Sequence, residues 1–261
     1  MKDISDSPIT RNGNLLIQAY DHGLEHGPVD FEDVPESADP RHVFEVAKHD
    51  AVTAIAVQKG VAEGYYDEFS DDVPLLLKLN GTSNLWDTEP FSPKNCTVEY
   101  AVEELDADAV GYTMYAGSNR EDEMAHEFRR IQEEARKFDV PVVMWAYPRG
   151  QPIKNDKKVG TISYASRIGL ELGADVTKVK YAGSQQAMEE VMDASGDLKV
   201  VMSGGSKASD RAFLTDVHNT LAAGGNGLAV GRNIFQRENP ESLLDKLEGV
   251  IFEGKSVDEV L

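Results

Sequence analysis

Two segments of the sequence concentrate ionisable side chains in patterns that suit chemistry on a small polar molecule. Residues 20–28 read YDHGLEHGP and place Asp21 and His22 directly after an apolar run. Further along the chain, Lys178 and Lys180 alternate with apolar residues in DVTKVKY. A buried lysine beside another positive charge loses its proton more readily and becomes a nucleophile. The pattern therefore predicts a nucleophilic lysine; the alternative is that both lysines neutralise buried carboxylates.

Two glycine-containing turns have the composition of an anion site. The segment VMSGGSK contains Ser203, Gly204 and Gly205, and the segment LAVGRN contains Gly231 and Arg232. Backbone N–H groups at such turns, together with a hydroxyl and a planar guanidinium, bind phosphate well. We therefore expect a phosphorylated ligand. The alternative is that these glycines only allow tight turns.

A metal site is the rival interpretation of the first segment. His22, Glu25 and His26 supply three possible ligands within five residues, and an open catalytic zinc site uses about three protein ligands. Gly23 and Gly27 are expected to break any helix that would align the two histidines. We therefore predict chemistry without a metal or a cofactor, with Glu25 and His26 as hydrogen-bonding residues that fix a loop.

Short apolar runs and amphipathic segments alternate along the chain. Eight runs rich in Val, Ile and Leu predict strands at 15–20, 51–58, 74–79, 109–114, 141–147, 175–181, 199–203 and 227–231. Helical spacing of apolar residues occurs between them at 42–49, 96–105, 123–138, 162–173, 184–195 and 208–224. Strands that are almost continuously apolar indicate a parallel sheet covered by helices. Eight such units predict a (β/α)8 TIM barrel, and a doubly wound open sheet is the alternative.

A barrel would bring the polar segments together, because active sites of this fold lie at the carboxyl ends of the strands. A period of two places Lys178 and Lys180 inside the barrel and Val179 outside. The same period places Trp145 and Tyr147 inside on the preceding strand, where the phenol could transfer protons and the indole could exclude water. Residues 58–60, 80–82 and 115–117, which end the second to fourth strands, are expected to line the same mouth.

The net charge of the chain limits the kinds of molecule that it can bind. The 46 acidic and 26 basic residues give a formal net charge of -20, which repels nucleic-acid backbones and anionic membranes. The acidic residues are spread over the predicted helices, and this favours a dispersed acidic surface suited to the high-salt cytoplasm of a halophile. An ordinarily acidic enzyme is the alternative.

One domain over residues 1–261 is expected, because no linker, charge block or low-complexity tract marks a boundary. The single Cys96 cannot form an internal disulfide. No apolar stretch approaches the roughly eighteen residues of a membrane span, and the first residues lack the apolar core of a signal peptide. We therefore expect a soluble cytoplasmic protein.

The motifs as a set resemble one family. In order along the chain they are YDHGLEHGP (20–28), WAYPRG (145–150), TKVKYAG (177–183), MSGG (202–205) and AVGRNIFQR (229–237). They are similar to the archaeal-type class I fructose-1,6-bisphosphate aldolases, which are Schiff-base barrels. The resemblance implies reversible cleavage of fructose 1,6-bisphosphate in glycolysis and gluconeogenesis. It also implies a homo-oligomer, with a decamer built of pentameric rings as the expected form.

The resemblance implies a role for each site residue. Lys178 is implied as the Schiff-base lysine, and the choice between Lys178 and Lys180 rests on the resemblance alone. Tyr147 is implied as the proton donor, with Asp21 as a second catalytic residue. The implied substrate and phosphate contacts are His22, Trp145, Arg149, Ser203, Gly204, Gly205, Gly231 and Arg232.

Two other functions remain as alternatives. A sister group with the same barrel and lysine makes 2-amino-3,7-dideoxy-D-threo-hept-6-ulosonate for aromatic amino-acid synthesis, and Tyr20 and Trp145 favour the aldolase over it. Ser184 departs from the acidic residue that often stands there in relatives. A phosphosugar-binding sensor would keep the phosphate residues but would not need two inward lysines beside a tyrosine.

Overall fold

Eight parallel strands form a closed barrel, in which each strand pairs with the next and the last pairs back with the first. The computed structural model describes residues 4–85, 89–205 and 207–261. The strands are β1 (Leu15–Ala19), β2 (Ala54–Gln58), β3 (Leu75–Lys78), β4 (Ala109–Ala116), β5 (Val142–Pro148), β6 (Val176–Val179), β7 (Lys199–Ser203) and β8 (Gly227–Val230). The predicted (β/α)8 barrel is confirmed, and the open-sheet alternative is wrong.

Helices surround the barrel and connect its strands. The described α-helices are α1 (Gly23–His26), α2 (Pro40–Ala47), α3 (Lys59–Tyr65), α4 (Val98–Glu103), α5 (Glu121–Phe138), α6 (Val159–Leu172), α7 (Gln185–Ser195), α8 (Asp210–Ala222), α9 (Arg232–Phe235), α10 (Pro240–Ile251) and α11 (Val257–Val260). Short 3-10 helices cover Gly27–Phe31, Pro35–Ala38 and Tyr66–Phe69. The six segments predicted from helical spacing correspond to α2 and to α4 through α8.

Spacing and capping explain why these segments are helical. In α5 the buried residues Met124, Phe128, Ile131 and Ala135 recur at intervals of three and four, so one face packs on the sheet. Ser184 caps α7, where its hydroxyl accepts a hydrogen bond from the Ala187 N–H at 3.2 Å. This cap gives Ser184 a local structural role at the start of α7.

The alternation of strand residues separates two layers of core. The inward layer consists of Ile4, Ile9, Leu15, Ile17, Ala54, Ala56, Leu76, Ala109, Val143, Trp145, Val176, Val201 and Ala229. Ile4 and Ile9 come from the segment before β1 and are fully buried, so they fill the amino end of the barrel. Burial of each large apolar side chain contributes about 1.5–3 kcal/mol. The packed amino end leaves the carboxyl end as the open face.

Two local expectations are wrong. Gly23 and Gly27 do not prevent a helix, because α1 occupies Gly23–His26 and the chain turns only at Gly27, which has a φ of 73°. Lys59 does not line the barrel mouth, because it begins α3 and lies over the Tyr100 ring outside the barrel.

Among the described residues, no helix has both the length and the apolar character required to cross a bilayer.

Candidate active site

The carboxyl ends of the strands surround an open cleft of about 220 Å³. All the site residues expected from the sequence line this cleft: Asp21, His22, Trp145, Tyr147, Arg149, Lys178, Ser203, Gly204, Gly205, Gly231 and Arg232. They come from β1, β5, β6, β7 and β8 or from the loops that follow these strands. Residues far apart in the sequence therefore face the same small volume.

Lys178 is the inward lysine of β6, and its neighbour Val179 packs in the outer core, as the period of two predicts. Its ammonium nitrogen lies 4.9 Å from the centre of the Trp145 ring. The pKa of Lys178 is lowered to about 8, mainly by burial; the charge of Asp21 opposes this shift and the charge of Lys78 supports it. Part of this amine is therefore neutral near pH 7–8 and able to act as a nucleophile.

Lys180 is in a different situation. It lies just beyond the end of β6 and forms an ion pair with Asp156 in the loop before α6. The nearby positive charges that act on Lys178 are those of Lys78 and Arg232. The expectation that the charge of Lys180 lowers the pKa of Lys178 is therefore wrong, because Lys180 is paired with Asp156. Lys78 takes this role instead.

Asp21 stands between two lysines at the centre of the cleft. Its Oδ2 lies 3.3 Å from Nζ of Lys78, which is the last residue of β3. Burial alone would raise the pKa of Asp21, but the charges of Lys78 and Lys178 outweigh burial and lower this pKa below its ordinary value. The carboxylate is therefore ionised at neutral pH, and it can accept hydrogen bonds from the hydroxyls of a ligand.

Tyr147 and Arg149 occupy the side of the cleft formed by β5. Burial, together with the carboxylates of Asp21 and Glu25, raises the pKa of Tyr147 well above its ordinary value, so the phenol stays protonated. Arg149 donates a hydrogen bond from Nη1 to Glu25 Oε1 at 2.6 Å and lies over the Tyr115 ring. Glu25 therefore joins the loop after β1 to the loop after β5, in agreement with its predicted loop-fixing role.

His22 is held within a group of aromatic rings. It stacks on Phe235 with ring centres 4.7 Å apart and an angle of 12° between the planes. Burial lowers the pKa of His22 to about 4, so the imidazole is neutral at pH 7. His26 lies with Nδ1 at 2.5 Å from Oδ2 of Asp30, in agreement with its predicted role in fixing this loop.

The two glycine-containing turns, which follow β7 and β8, meet at the side of the cleft that these two strands form. The buried Asn233 of α9 donates to the Gly204 carbonyl at 2.7 Å and accepts from the Ala208 N–H at 3.0 Å, so it fixes the turn after β7. Gly204 donates from its own N–H to Ala229 O at 3.3 Å. An incoming phosphate would have to replace this long hydrogen bond in order to use the Gly204 amide.

Gly231 and Arg232 complete this side. A Cβ on Gly231 would lie 2.3 Å from Ala19 O, so glycine is required where β8 approaches β1. The Arg232 Nη1 atom lies 4.0 Å from Asp30 Oδ1, a distance that leaves its N–H groups available to an anion. Serine hydroxyl, backbone and guanidinium therefore face one region of the cleft, as a phosphate site requires.

Family comparison agrees with this geometry. A family described as the DeoC/LacD family aldolases matches residues 15–237. The chain belongs to this aldolase family. The match begins at β1 and extends beyond Arg232, so it contains all the residues that line the cleft.

Two relatives of this DeoC/LacD aldolase are similar over more than nine-tenths of their length. A protein named fructose-bisphosphate aldolase class 1 from Halobacterium salinarum is 62% identical over 261 residues, which are 100% of this chain and 99% of the relative. A 2-amino-3,7-dideoxy-D-threo-hept-6-ulosonate synthase from Archaeoglobus fulgidus is 34% identical over 256 residues, covering 98% of this chain and 92% of the relative.

A solved structure of an archaeal fructose-1,6-bisphosphate aldolase is also similar to this family member. That structure carries its catalytic lysine covalently bound to the carbinolamine intermediate of the substrate. It aligns with a TM-score of 0.90 and 43% identity over 95% of this chain and 97% of that chain.

Sequence reasoning missed one lysine of this aldolase's cleft. Lys78 is 4% exposed at its side chain, with Nζ 2.6 Å from Oγ1 of Thr113 and 4.8 Å from the centre of the Trp145 ring. The signal was present in PLLLKL, because a period of two places Leu76 and Lys78 on the same inward face. Thr113 lines the cleft as well and was also missed. Of the strand ends expected at the mouth, Gln58, Gly81, Thr82 and Tyr115 line the cleft as predicted.

Proposed function

We infer that this chain is a class I fructose-bisphosphate aldolase. It cleaves fructose 1,6-bisphosphate reversibly to dihydroxyacetone phosphate and glyceraldehyde 3-phosphate through a Schiff base, without a metal. The observation that carries this function is the amine of Lys178, buried at the carboxyl end of the barrel, with its pKa lowered to about 8. The 62% identity to the class 1 aldolase of Halobacterium salinarum supports the same activity.

The first half of the proposed reaction forms the covalent intermediate. The neutral amine of Lys178 adds to the C2 carbonyl of the open-chain sugar and gives a carbinolamine. Loss of water then leaves an iminium ion. Tyr147, whose raised pKa keeps its phenol protonated, is proposed to donate protons in these steps, because a donor must hold its proton at working pH.

The second half breaks the carbon–carbon bond. The C4 hydroxyl gives its proton to the phenolate that Tyr147 becomes after the dehydration step, the C3–C4 bond breaks, and its electron pair moves to the iminium nitrogen. The products are glyceraldehyde 3-phosphate and an enamine. A proton adds to C3 of the enamine, and water hydrolyses the resulting iminium to release dihydroxyacetone phosphate and the free amine. Asp21, ionised beside Lys78, is proposed to orient the sugar hydroxyls.

The turns after β7 and β8 are proposed to hold the phosphate next to the reacting ketone. Ser203, Gly205 and Arg232 line that side of the cleft together with Gly204 and Gly231. Fixing the phosphate there places the carbonyl within reach of Lys178, and such positioning supplies much of the rate of an intramolecular reaction. Trp145 lies beside the amine and is proposed to contact the substrate, as are His22 and Arg149.

The heptulosonate synthase is the other candidate activity. It shares the barrel and the lysine, but the relative with that name is 34% identical, against 62% for the class 1 aldolase. The buried hydroxyl of Tyr20, which donates to Ser37 O at 2.8 Å, and the position of Trp145 beside Lys178 fit the aldolase pattern. Parallel assays of the two reactions on one enzyme preparation discriminate between them.

The direct experiment is cleavage of fructose 1,6-bisphosphate by purified protein in excess EDTA. Turnover is expected to persist, and borohydride added with dihydroxyacetone phosphate should trap a secondary amine that peptide mass mapping places at Lys178. Lys178→Ala should remove both turnover and adduct. Lys180→Ala is the matched control, because it removes the lysine that pairs with Asp156, and it should keep the adduct.

Three outcomes would contradict the proposal. Trapping at Lys180 would preserve the Schiff-base class and overturn the choice of lysine. Loss of activity in EDTA with no trapping would return His22, Glu25 and His26 to the metal interpretation. Binding of the sugar phosphate without turnover would make the protein a sensor.

The cellular setting and the assembly are proposals as well. We propose that the enzyme acts in the cytoplasm, where phosphorylated sugars are retained because their charge prevents diffusion across membranes. We also propose a homo-oligomer, with the decamer as the form to test. Light scattering on the purified protein at high salt gives the mass directly.

A further inference from the structure

Lys78 is the least exposed lysine in the cleft, and the reaction above has no use for it. It ends β3, two strands before the strand that carries Trp145, and its stem packs over Gly111 of β4. Burial lowers the pKa of Lys78, whereas the charge and hydrogen bond of Asp21 oppose this shift and favour the ammonium form. Burial of an ammonium group is costly unless hydrogen bonds and a counter-charge compensate it. A lysine kept at this position therefore requires an explanation beyond packing.

Three strand ends hold the ammonium group of Lys78 in place. From the end of β1, Asp21 Oδ2 lies at 3.3 Å. From β4, Thr113 Oγ1 accepts a hydrogen bond at 2.6 Å. From β5, the face of Trp145 lies 4.8 Å away. An ammonium fixed on three sides has one position, and it fixes the carboxylate with which it pairs.

The same indole ring receives the Lys178 amine at 4.9 Å from its centre. The Trp145 ring therefore lies beside two lysines. Lys78 forms an ion pair with a carboxylate, whereas Lys178 is buried and forms no ion pair among the described residues. Removal of Lys78 would take away the ion pair that holds Asp21, the carboxylate with the largest effect on both lysines.

We propose that Lys78 is a positioning residue for the aldolase reaction: it fixes the Asp21 carboxylate in the cleft and keeps the Lys178 amine free to react. This role rests on the function proposed above. Lys78 forms no bond to substrate in this scheme. It acts through Asp21, whose oxygens meet the hydroxyls, and through its positive charge, which opposes a second positive charge on Lys178.

The charges around Lys178 predict the direction in which its pKa should move when Lys78 is removed. Besides the two lysines themselves, the charged groups that act on them are Asp21 from the loop after β1, Glu25 from α1 and Arg232 from α9. Asp21 and Glu25 favour the ammonium form of Lys178, whereas Lys78 and Arg232 oppose it. Without Lys78 the carboxylates prevail, so the pKa of Lys178 should rise and its reactive form should require a higher pH.

The test compares wild type, Lys78→Met and Thr113→Val. Methionine is unbranched and matches the stem that packs over Gly111, and valine keeps the shape of threonine while removing the acceptor at 2.6 Å. Lys199→Met is the matched control: this lysine begins β7 at the opposite, amino end of the barrel, where it bonds Gly13 O. The readouts are kcat and KM for fructose 1,6-bisphosphate, melting temperature, and the pH midpoint of borohydride trapping.

In Lys78→Met, kcat should fall roughly 100-fold, the scale of a misplaced catalytic group, while KM changes much less. The adduct should still map to Lys178, with its trapping midpoint moved to higher pH. Thr113→Val should lower kcat about tenfold, the value of one hydrogen bond to a charged group. Lys199→Met should keep the wild-type kcat and midpoint.

Two results would overturn the role of Lys78. One is a Lys78→Met enzyme with wild-type kcat. The other is an enzyme with reduced kcat but an unmoved trapping midpoint, because a merely structural residue lowers stability without moving that midpoint. If Lys78→Met does not fold, Thr113→Val decides, and unchanged kcat and midpoint in that variant would refute the proposal. Failure of the aldolase function itself is distinguishable, because wild type would then give neither cleavage nor adduct.

Discussion

Gly111 leaves space that Trp145 occupies. A Cβ on Gly111 would lie 2.7 Å from Cζ3 of Trp145, and 2.8 Å from Cδ2 of Leu76. The indole beside the reactive lysine is therefore placed by a missing side chain on the neighbouring strand. We predict that Gly111→Ala lowers the free energy of unfolding by about 1–3 kcal/mol, the usual cost of overpacking. It should also reduce kcat, because the ring must move.

Gly60→Ala is the matched control for this substitution. Gly60 lies in α3 with no atom within 4 Å of the added Cβ, and alanine in a helix is favoured over glycine by up to about 1 kcal/mol. Thermal melts and steady-state kinetics of both variants make the comparison. Equal melting temperatures and equal kcat for Gly111→Ala and wild type would show that the ring position is not sensitive to this space.

Arg232 should act on the phosphate and not on the chemistry. Arg232→Ala should weaken handling of the phosphorylated substrate by roughly 1.5–3 kcal/mol, the range for hydrogen bonds to charged groups. Residual aldol reaction with unphosphorylated dihydroxyacetone should barely change. The measurement is kcat/KM for both donors.

The control is Arg211→Ala, which removes an exposed arginine paired with Asp258 outside the barrel. An equal loss for both donors in Arg232→Ala would mean that Arg232 supports the loop through Asp30 and does not bind phosphate.

His22 should contribute to acid sensitivity. Its pKa of about 4 in the folded protein lies below the value of about 6.5 expected in the unfolded chain. The unfolded state therefore binds more protons between these values, and stability is lost as pH falls from about 6.5 towards 4. The full difference corresponds to about 3 kcal/mol. Denaturant unfolding across this pH range should show a shallower loss in His22→Phe than in wild type.

His218→Gln provides the comparison, because His218 is exposed on α8 and its removal should leave the acid limb unchanged. An acid limb of unchanged steepness in His22→Phe would show that other groups, such as the buried carboxylates, account for the loss.

Salt should stabilise the protein. Its net charge of -20 produces self-repulsion that ions screen. Exposed ion pairs such as Arg129–Glu133 at 2.6 Å weaken in salt, but each contributes only about 0–1 kcal/mol. The melting temperature should therefore rise from low to molar KCl, and a flat or falling profile would contradict adaptation to high salt.

The sequence alone determined the architecture and most of the cleft. Repetition of apolar runs and amphipathic segments specified eight βα units, since burial on both faces of a parallel sheet leaves few other patterns. The period of two correctly placed Lys178, Trp145 and Tyr147 inside, because side-chain direction in a strand follows from backbone geometry. The resemblance, and not periodicity, selected Lys178 over Lys180.

Only the tertiary structure decided which charges meet. Lys78 and Asp21 are 57 positions apart in number, at the ends of strands separated in the barrel by β2, and their 3.3 Å contact depends on barrel closure. Lys180 pairs with Asp156 in a loop whose path cannot be predicted from periodicity. The short helix α1 begins at Gly23 and ends before Gly27. The physical reason is that periodicity reports the direction of each side chain from its own backbone. Coulombic partners and pKa values depend instead on distances between elements, which only packing sets.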